Sequence, residues 1–178
     1  MNPNHFSVQR VSSLTDAQLS GLAHLLIDCV EGGASVSFMH PLSESKALGF
    51  WRRVVEHAAT GQRALLIAEQ GNSVIGTVQL VLDQPENQPH RADLSKMLVH
   101  RRARRQGVGA ALLREAEEVA REFGKTLLVL DTASSDAERL YARLGWQRCG
   151  YVPDYALLPF GGLCGTTFYY RKLEAATA

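Results

Sequence analysis

Cysteine is scarce in this sequence. The three present, Cys29, Cys149 and Cys164, are odd in number, far apart and form no CxxC pair. That argues against a disulfide framework or a thiolate zinc site and suits a reducing compartment. The six histidines form no HxxxH-type pair, so no metal is expected. No run approaches the roughly 18 continuous apolar residues of a membrane helix. The first residues lack the basic start and apolar run of a signal peptide, so the expected location is the cytoplasm, without a membrane partner. Charge of one sign is also missing: the formal net charge is +1, and no overall field would hold the chain on nucleic acid or an anionic membrane. Repeats, low-complexity tracts and Pro/Gly/Ser-rich linkers are absent.

What remains is the composition of a folded globular protein, 46% hydrophobic and 21% charged over 178 residues. That length fits a single domain, residues 1–178, with a core of its own. Residues 7–11 suggest a short strand. Leu19, Leu22, Leu25, Leu26, Cys29 and Val30 recur at helical spacing, with Thr15 or Asp16 at the start and Gly32–Gly33 as the stop. A second helix is predicted over 43–59, carrying Leu48, Trp51, Val54 and Val55. Residues 64–68 and 73–82 around Gly71-Asn72 read as an antiparallel hairpin. A polar loop (84–91), a strand (92–99), a helix (108–123) and an apolar strand (126–130) follow. A short helix (136–144) and two closing strands (148–151 and 166–173) complete the order. This order predicts an α/β fold: a central mixed, largely antiparallel twisted sheet flanked by helices.

The most informative stretch runs from Met97-Leu98-Val99 through His100-Arg101-Arg102-Ala103-Arg104-Arg105 to Gln106-Gly107-Val108-Gly109-Ala110. A strand ends, a basic loop follows, and two glycines open a helix. Amides at a helix start are unpaired donors, and the helix dipole favours an anion there. Glycine lets a phosphate approach the backbone, and arginine adds charge-assisted hydrogen bonds. The same residues also fit a solvated basic loop, with Gly107 and Gly109 serving a turn or a close helix contact. The stretch is not a Walker loop, since no GK[ST] follows, nor a dinucleotide GxGxxG. A nucleic-acid module would use the same basic run, but no second basic stripe or aromatic platform supports it, so no nucleic-acid partner is expected.

In these residues the sequence resembles the GNAT acetyltransferase family. Met97-Leu98-Val99 and Arg104-Arg105-Gln106-Gly107-Val108-Gly109 match the family's strand and R/Q-x-x-G-x-G/A loop. Ala137-Glu138-Arg139-Leu140-Tyr141 and Leu144-Gly145-Trp146 match its later A-x-x-x-Y helix ending near G-F. Residues 32–39, Arg91-Ala92-Asp93, Lys96, Leu127-Leu128 and Leu130-Asp131-Thr132 are similar to the family's tabtoxin-resistance branch, which acetylates a β-lactam amino acid. Arg101 stands where many members have proline, Trp146 where most have Phe, and Ser134 where many place a cofactor-contacting Asn.

The resemblance implies a GNAT fold and transfer of acetyl from acetyl-coenzyme A (acetyl-CoA), a co-substrate, to the amino group of a small molecule, with a toxin or antibiotic as one candidate. It implies a pyrophosphate cradle at Arg104, Arg105, Gln106, Gly107, Val108, Gly109 and Ala110. The pantetheine arm would lie along the backbone at Met97, Leu98 and Val99, with a cofactor contact at Ser134. Tyr141 matches the family's general acid, and Asp131 and Asp93 are candidate bases. For Tyr141 packing alone is the alternative; for Asp131 it is a cap on the next turn, and for Asp93 a solvated charge. A water could also remove the proton. Gly33, Ser35, Phe38, Asp131 and Asp154 are expected to meet the substrate, with the loop 33–39 and the segment 151–162 as a wall or lid. Glu31 is a further candidate for an ammonium. A protein or peptide amine as substrate, or a non-catalytic acyl-CoA sensor, are the other readings. The oligomer is expected to be a monomer or homodimer.

Overall fold

The computed structural model describes residues 5–174. Seven strands form one sheet in the order β1-β2-β3-β4-β5-β7-β6. They are β1 (Ser7–Val11), β2 (Arg63–Gln70), β3 (Ser73–Val81), β4 (Arg91–Val99), β5 (Leu127–Thr132), β6 (Gln147–Leu157) and β7 (Leu163–Lys172). Neighbours are antiparallel except β4 and β5, so the sheet is mixed and largely antiparallel, as the sequence predicts. The helices are α1 (Asp16–Glu31), α2 (Glu44–Ala59), α3 (Val108–Glu122) and α4 (Ser135–Arg143).

Local signals explain the helix ends. Thr15 and Gln18 form a reciprocal capping box at the start of α1, and Ser43 caps α2 by accepting from the Lys46 amide. Alternation along β2 explains its continuous apolar run. Ala64, Leu66 and Ala68 join a cluster with Leu112, Leu113 and Ala116 of α3, while Leu65 and Ile67 join Leu22, Leu26 and Trp51 of α1 and α2. Tyr141 and Trp146 belong to the α3 cluster. The α1–α2 cluster takes nothing from β5, β6 or β7.

The end of the chain departs from the sequence reading. The segment expected to be a connecting wall or lid, 151–162, is the second half of β6 and then a tight turn. Leu158 N–H donates to Gly162 O at 2.9 Å, and Gly161 and Gly162 have φ of 97° and 85°. Pro153 and Asp154 sit in a register shift between Val152 and Ala156. An edge strand tolerates a proline and an irregularity because one side of its backbone has no ladder to satisfy. Nearly all of β6 is exposed, so it carries no burial alternation that the sequence could reveal.

Candidate active site

β4 and β5 pair only at Arg91–Leu127, Ala92–Leu128 and Asp93–Val129. β4 continues six residues beyond that point. β5 turns its remaining residues to β7, with Leu130 opposite Tyr169 and Thr132 opposite Thr167. The two parallel strands therefore diverge. β3 and β4 lose register between Thr77/Leu98 and Gln79/Ser95, one extra residue lying in β4, where Lys96 has a φ of 51°. His100 N–H donates to Ile75 O on β3. Strand alternation turns the amides of Val99 and Met97 the other way, into the wedge.

At the mouth of the wedge lies the start of α3. Gly107 caps it with a φ of 85° and no side-chain hydrogen bond, and the first intrahelical bond runs from Ala111 N–H to Gly107 O. The amides of Val108, Gly109 and Ala110 thus have no helical partner. A β-carbon at Gly107 would meet nothing within 4 Å, so glycine is there for its backbone conformation and the approach is open. Gly109 differs: a β-carbon would lie 2.9 Å from Met97 Cε and 3.0 Å from Leu140 Cδ2. Close packing, one of the two readings of these glycines, is its observed role. Gly76 serves the same contact from β3, where a β-carbon would meet Val108 Cγ1 at 2.9 Å.

The basic loop divides in two. Arg101 turns back to α1, its Nε and backbone N–H donating to the Asp28 carboxylate at 2.8 and 2.9 Å, with Glu31 at 3.6 Å. A proline at 101 would lose that backbone donor. Burial would raise the Asp28 carboxyl, but the Arg101 hydrogen bonds outweigh it and hold the group below its ordinary value. Glu31, a candidate ammonium contact, is thus engaged at the loop. Arg104 and Arg105 are exposed and make no ion pair among the described residues, and the first turn of α3 has no acid. Gln106 Nε2 donates to Arg102 O at 2.9 Å and braces the loop. Unpaired amides, a bare Gly107, two guanidinium groups without an ion-pair partner among the described residues and an open strand edge fit a pyrophosphate with an extended arm.

Tyr141 is buried, its ring 5.8 Å from those of Trp146 and Tyr169. Its hydroxyl makes no hydrogen bond among the described residues. Burial raises its pKa well above the ordinary phenol range, and the charge of Asp131 adds to the rise. Asp131 is exposed at the end of β5 and accepts from Thr166 Oγ1 at 2.8 Å. It does not cap the following turn. Thr132 Oγ1 accepts from the Ser134 amide, and Ser134 Oγ accepts from the Ala137 amide, so those two residues hold the start of α4. Ser134 is therefore a helix cap as well as a residue of the wedge side.

Asp93 lies on the same face, but Arg91 pairs with it closely and Gln84 Nε2 donates to it at 3.3 Å. The loop between α1 and α2 reaches the β6–β7 turn: Ser35 Oγ donates to Leu157 O at 3.4 Å and lies 3.6 Å from Cys164 Sγ. His40 N–H donates to Pro159 O at 2.9 Å, and its ring lies 4.6 Å from that of Phe160. Gly33 makes the turn into this loop with a φ of 84°. Phe38 packs edge-on against Phe50 at 5.3 Å, a core contact rather than a cleft wall, whereas Met39 is exposed. Asp154 is exposed, with a φ of 53°.

Sequence reasoning gave no role to Thr166, Gln79 or Arg63, and none beyond a resemblance to Lys96. Thr166 had no signal, being one more residue of a β-rich run. Gln79 had one: it is a long polar side chain inside a mostly apolar, buried strand.

The sequence model of the Acetyltransferase (GNAT) family matches residues 20–146. N-acetyltransferase 8B of Rattus norvegicus is 35% identical over 92 residues, 49% of this chain and 41% of that protein. N-acetyltransferase 8 of Homo sapiens is 33% identical over 87 residues, 47% of this chain and 38% of that protein. The chain thus spans about two fifths of the length of the curated relatives it matches. Among solved structures, the ribosomal-protein-alanine N-acetyltransferase of Brucella melitensis superposes with a TM-score of 0.79 at 24% identity, over 94% of this chain and 99% of that one. The phosphinothricin acetyltransferase of Sinorhizobium meliloti, in complex with acetyl-CoA, superposes with a TM-score of 0.77 at 19% identity, over 93% and 88%. These likenesses carry the fold, and the matched sequence model carries the family: the chain belongs to the GNAT acetyltransferases.

Proposed function

We propose that this chain is an acetyl-CoA-dependent N-acetyltransferase, a single domain that acts on the amino group of a small molecule. The observation that carries the reading is the divergence of β4 from β5 beside the uncapped start of α3, with Tyr141 and Asp131 in one electrostatic environment at its side. Acetyl-CoA, with which the Sinorhizobium meliloti structure is in complex, supplies an activated acetyl thioester. Arg104, Arg105, Gln106 and the amides of Gly107 to Ala110 hold its pyrophosphate. The Met97 and Val99 backbone orients its arm, and one of those amides faces the charge that develops on the carbonyl oxygen. Leu98 is buried in the α1–α2 cluster and Val108 in the α3 cluster, so each contributes its backbone, and Ser134 caps α4.

Asp131 receives the substrate ammonium and takes its proton, directly or through a water; Thr166 fixes the carboxylate for that task. Asp93 is held by Arg91 and serves the site as a fixed charge pair. Tyr141 stays protonated because its surroundings disfavour the phenolate, and it gives its proton to the leaving sulfur. An ammonium at Asp131 cancels the charge that adds to Tyr141's raised pKa. Substrate binding thereby makes the phenol a better acid.

A small acceptor is supported by the contacts of Ser35 and His40 with Leu157 and Pro159, which bridge the cleft where a polypeptide would otherwise enter. Gly33, Ser35 and Asp154 border that end. The similarity of residues 32–39 to the tabtoxin-resistance branch makes a β-lactam amino acid a first candidate, and detoxification the accompanying role. Free Cys29, Cys149 and Cys164 suit the cytoplasm.

The test is thiol release from acetyl-CoA across a panel of small amines and peptides, with Tyr141→Phe alongside. Release with small amines, lost in the variant while cofactor binding persists, is expected. Cofactor binding without release for any amine would contradict catalysis and favour a sensor.

A further inference from the structure

Gln79 is wholly buried on β3. Its Oε1 accepts from Arg63 Nη1 at 2.8 Å, while its Nε2 has no partner among the described residues. The Arg63 contact fixes the amide orientation, since a flipped amide would set N–H against N–H. An unmet buried donor carries the full cost of its desolvation.

Ser95 is the register partner of Gln79, and Lys96 follows it in the bulge of β4. The Lys96 ammonium donates to Ser37 Oγ at 3.0 Å, a neutral acceptor. Neither Arg63 nor Lys96 forms an ion pair among the described residues. Burial lowers the pKa of both, and the charge of Arg63 adds to the lowering at Lys96, while Asp131 opposes it. Asp93 is in the same cross-strand row as Arg63 and Val81, but Arg91 already pairs with it. Two half-buried cations and an unmet amide donor thus share one face of the sheet, and the carboxylate beside them, without an ion-pair partner among the described residues, is Asp131. Such a donor set is chemically complementary to a carboxylate, whose two oxygens accept several N–H bonds at once.

We propose that Arg63, Gln79 and Lys96 form a subsite for a carboxylate on the amine substrate, so that the acceptor is an amino acid. The inference rests on the acetyl-transfer reading and names the substrate class of that site. The amino acid lies with its ammonium at Asp131 and its carboxylate toward β3 and the β4 bulge. A plain amine engages Asp131 and leaves both cations and the Gln79 donor unmet. A site built for polar partners rejects ligands that lack them for that reason.

The experiment compares amino acids with the same amines lacking the carboxylate: ornithine with putrescine, lysine with cadaverine, and 2,4-diaminobutyrate with 1,3-diaminopropane. The proteinogenic set is run with the matching amino acid amides. Thiol release gives kcat/KM, and calorimetric titration of the best acid into protein with coenzyme A gives binding independently of turnover. Wild type is expected to prefer at least one acid over its matched amine by about tenfold or more, and each of Gln79→Met and Lys96→Met to reduce that ratio about tenfold. Lys96→Met, at a half-buried position in the β4 bulge, keeps the test available if the wholly buried Gln79→Met does not fold. Equal turnover of acids and matched amines, or an unchanged ratio in the folded variants, overturns the carboxylate subsite and leaves acetyl transfer standing. No release with any amine overturns the acetyl-transfer reading and this inference with it.

Discussion

Thr166 Oγ1 donates to Asp131 Oδ2 at 2.8 Å, from a strand on which Thr166 is almost wholly buried to a carboxylate exposed in the cleft. The threonine is positioned by the β5–β7 ladder, and it fixes one oxygen of Asp131 while leaving the other free. Thr166→Val preserves shape and removes the donor. Turnover of a competent amine is expected to fall about tenfold or more, the scale of one hydrogen bond to a charged group. Acetyl-CoA affinity is expected to stay unchanged. Steady-state kinetics beside a cofactor titration checks both, and an unaltered kcat would remove Thr166 from the mechanism.

Tyr141 supplies a pH-dependent expectation. Its folded pKa is raised by burial and then by Asp131, above the ordinary phenol value near 10 of the unfolded chain. The folded state therefore holds the proton more tightly than the unfolded state does. That contribution to stability is fully present below pH 10 and is lost as pH rises through the folded value. Urea unfolding of wild type and Tyr141→Phe at pH 8 and 10.5 compares the two. The variant should lose less stability on the alkaline side; equal losses would contradict the raised pKa.

Gly76 and Gly109 both admit the start of α3, but they should respond differently to alanine. At Gly76 a β-carbon meets Val108 and Leu112 side chains and also Leu98 O at 3.2 Å, so backbone must yield. Gly76→Ala is expected to cost about 1–3 kcal/mol of stability, the usual range for overpacking. At Gly109 the nearest atoms are the ends of Met97 and Leu140, which can move, and alanine gains about 1 kcal/mol of helix propensity over glycine. Thermal melts of the two variants should differ clearly, with Gly109→Ala the milder.

Cysteine reactivity offers a check on burial that is independent of function. Cys29 is buried, and its thiol is pushed up to about 11 by burial and the Asp28 charge; Cys149 is exposed. Iodoacetamide at pH 8 is expected to label Cys149 and spare Cys29 in the folded protein, because the thiolate is the reacting form. Peptide mapping by mass spectrometry reads the order, and prompt labelling of Cys29 would show that α1 opens readily.

The helices and central strands were legible because their signals are local. Thr15 with Gln18, Ser43, Gly107 and the apolar spacing of α1 each act within one element. The proposed cradle is local in the same way, as one strand end and one helix start make it. The cleft was not. Thr166 reaches Asp131 through the β5–β7 ladder, Gln79 stands beside Arg63 through the β2–β3 register, and Lys96 meets Ser37 across 59 positions of sequence. Such pairs are set by register, which the sequence does not display. The length of β6 was hidden because an exposed edge strand needs no apolar alternation.

The central claim is that the wedge between β4 and β5 and the start of α3 hold acetyl-CoA. Calorimetric titration of acetyl-CoA into wild type and into an Arg104→Ala, Gly107→Val double variant tests it most directly, with thermal melts to establish that both are folded. Gly107→Val imposes a branched side chain at a φ of 85°, where it blocks the bare approach, and Arg104→Ala removes an exposed guanidinium. Saturable binding by wild type, lost in the folded double variant, is the expected result. A well-folded wild type that does not bind acetyl-CoA would contradict the account and return the loop 101–107 to the status of a basic surface turn.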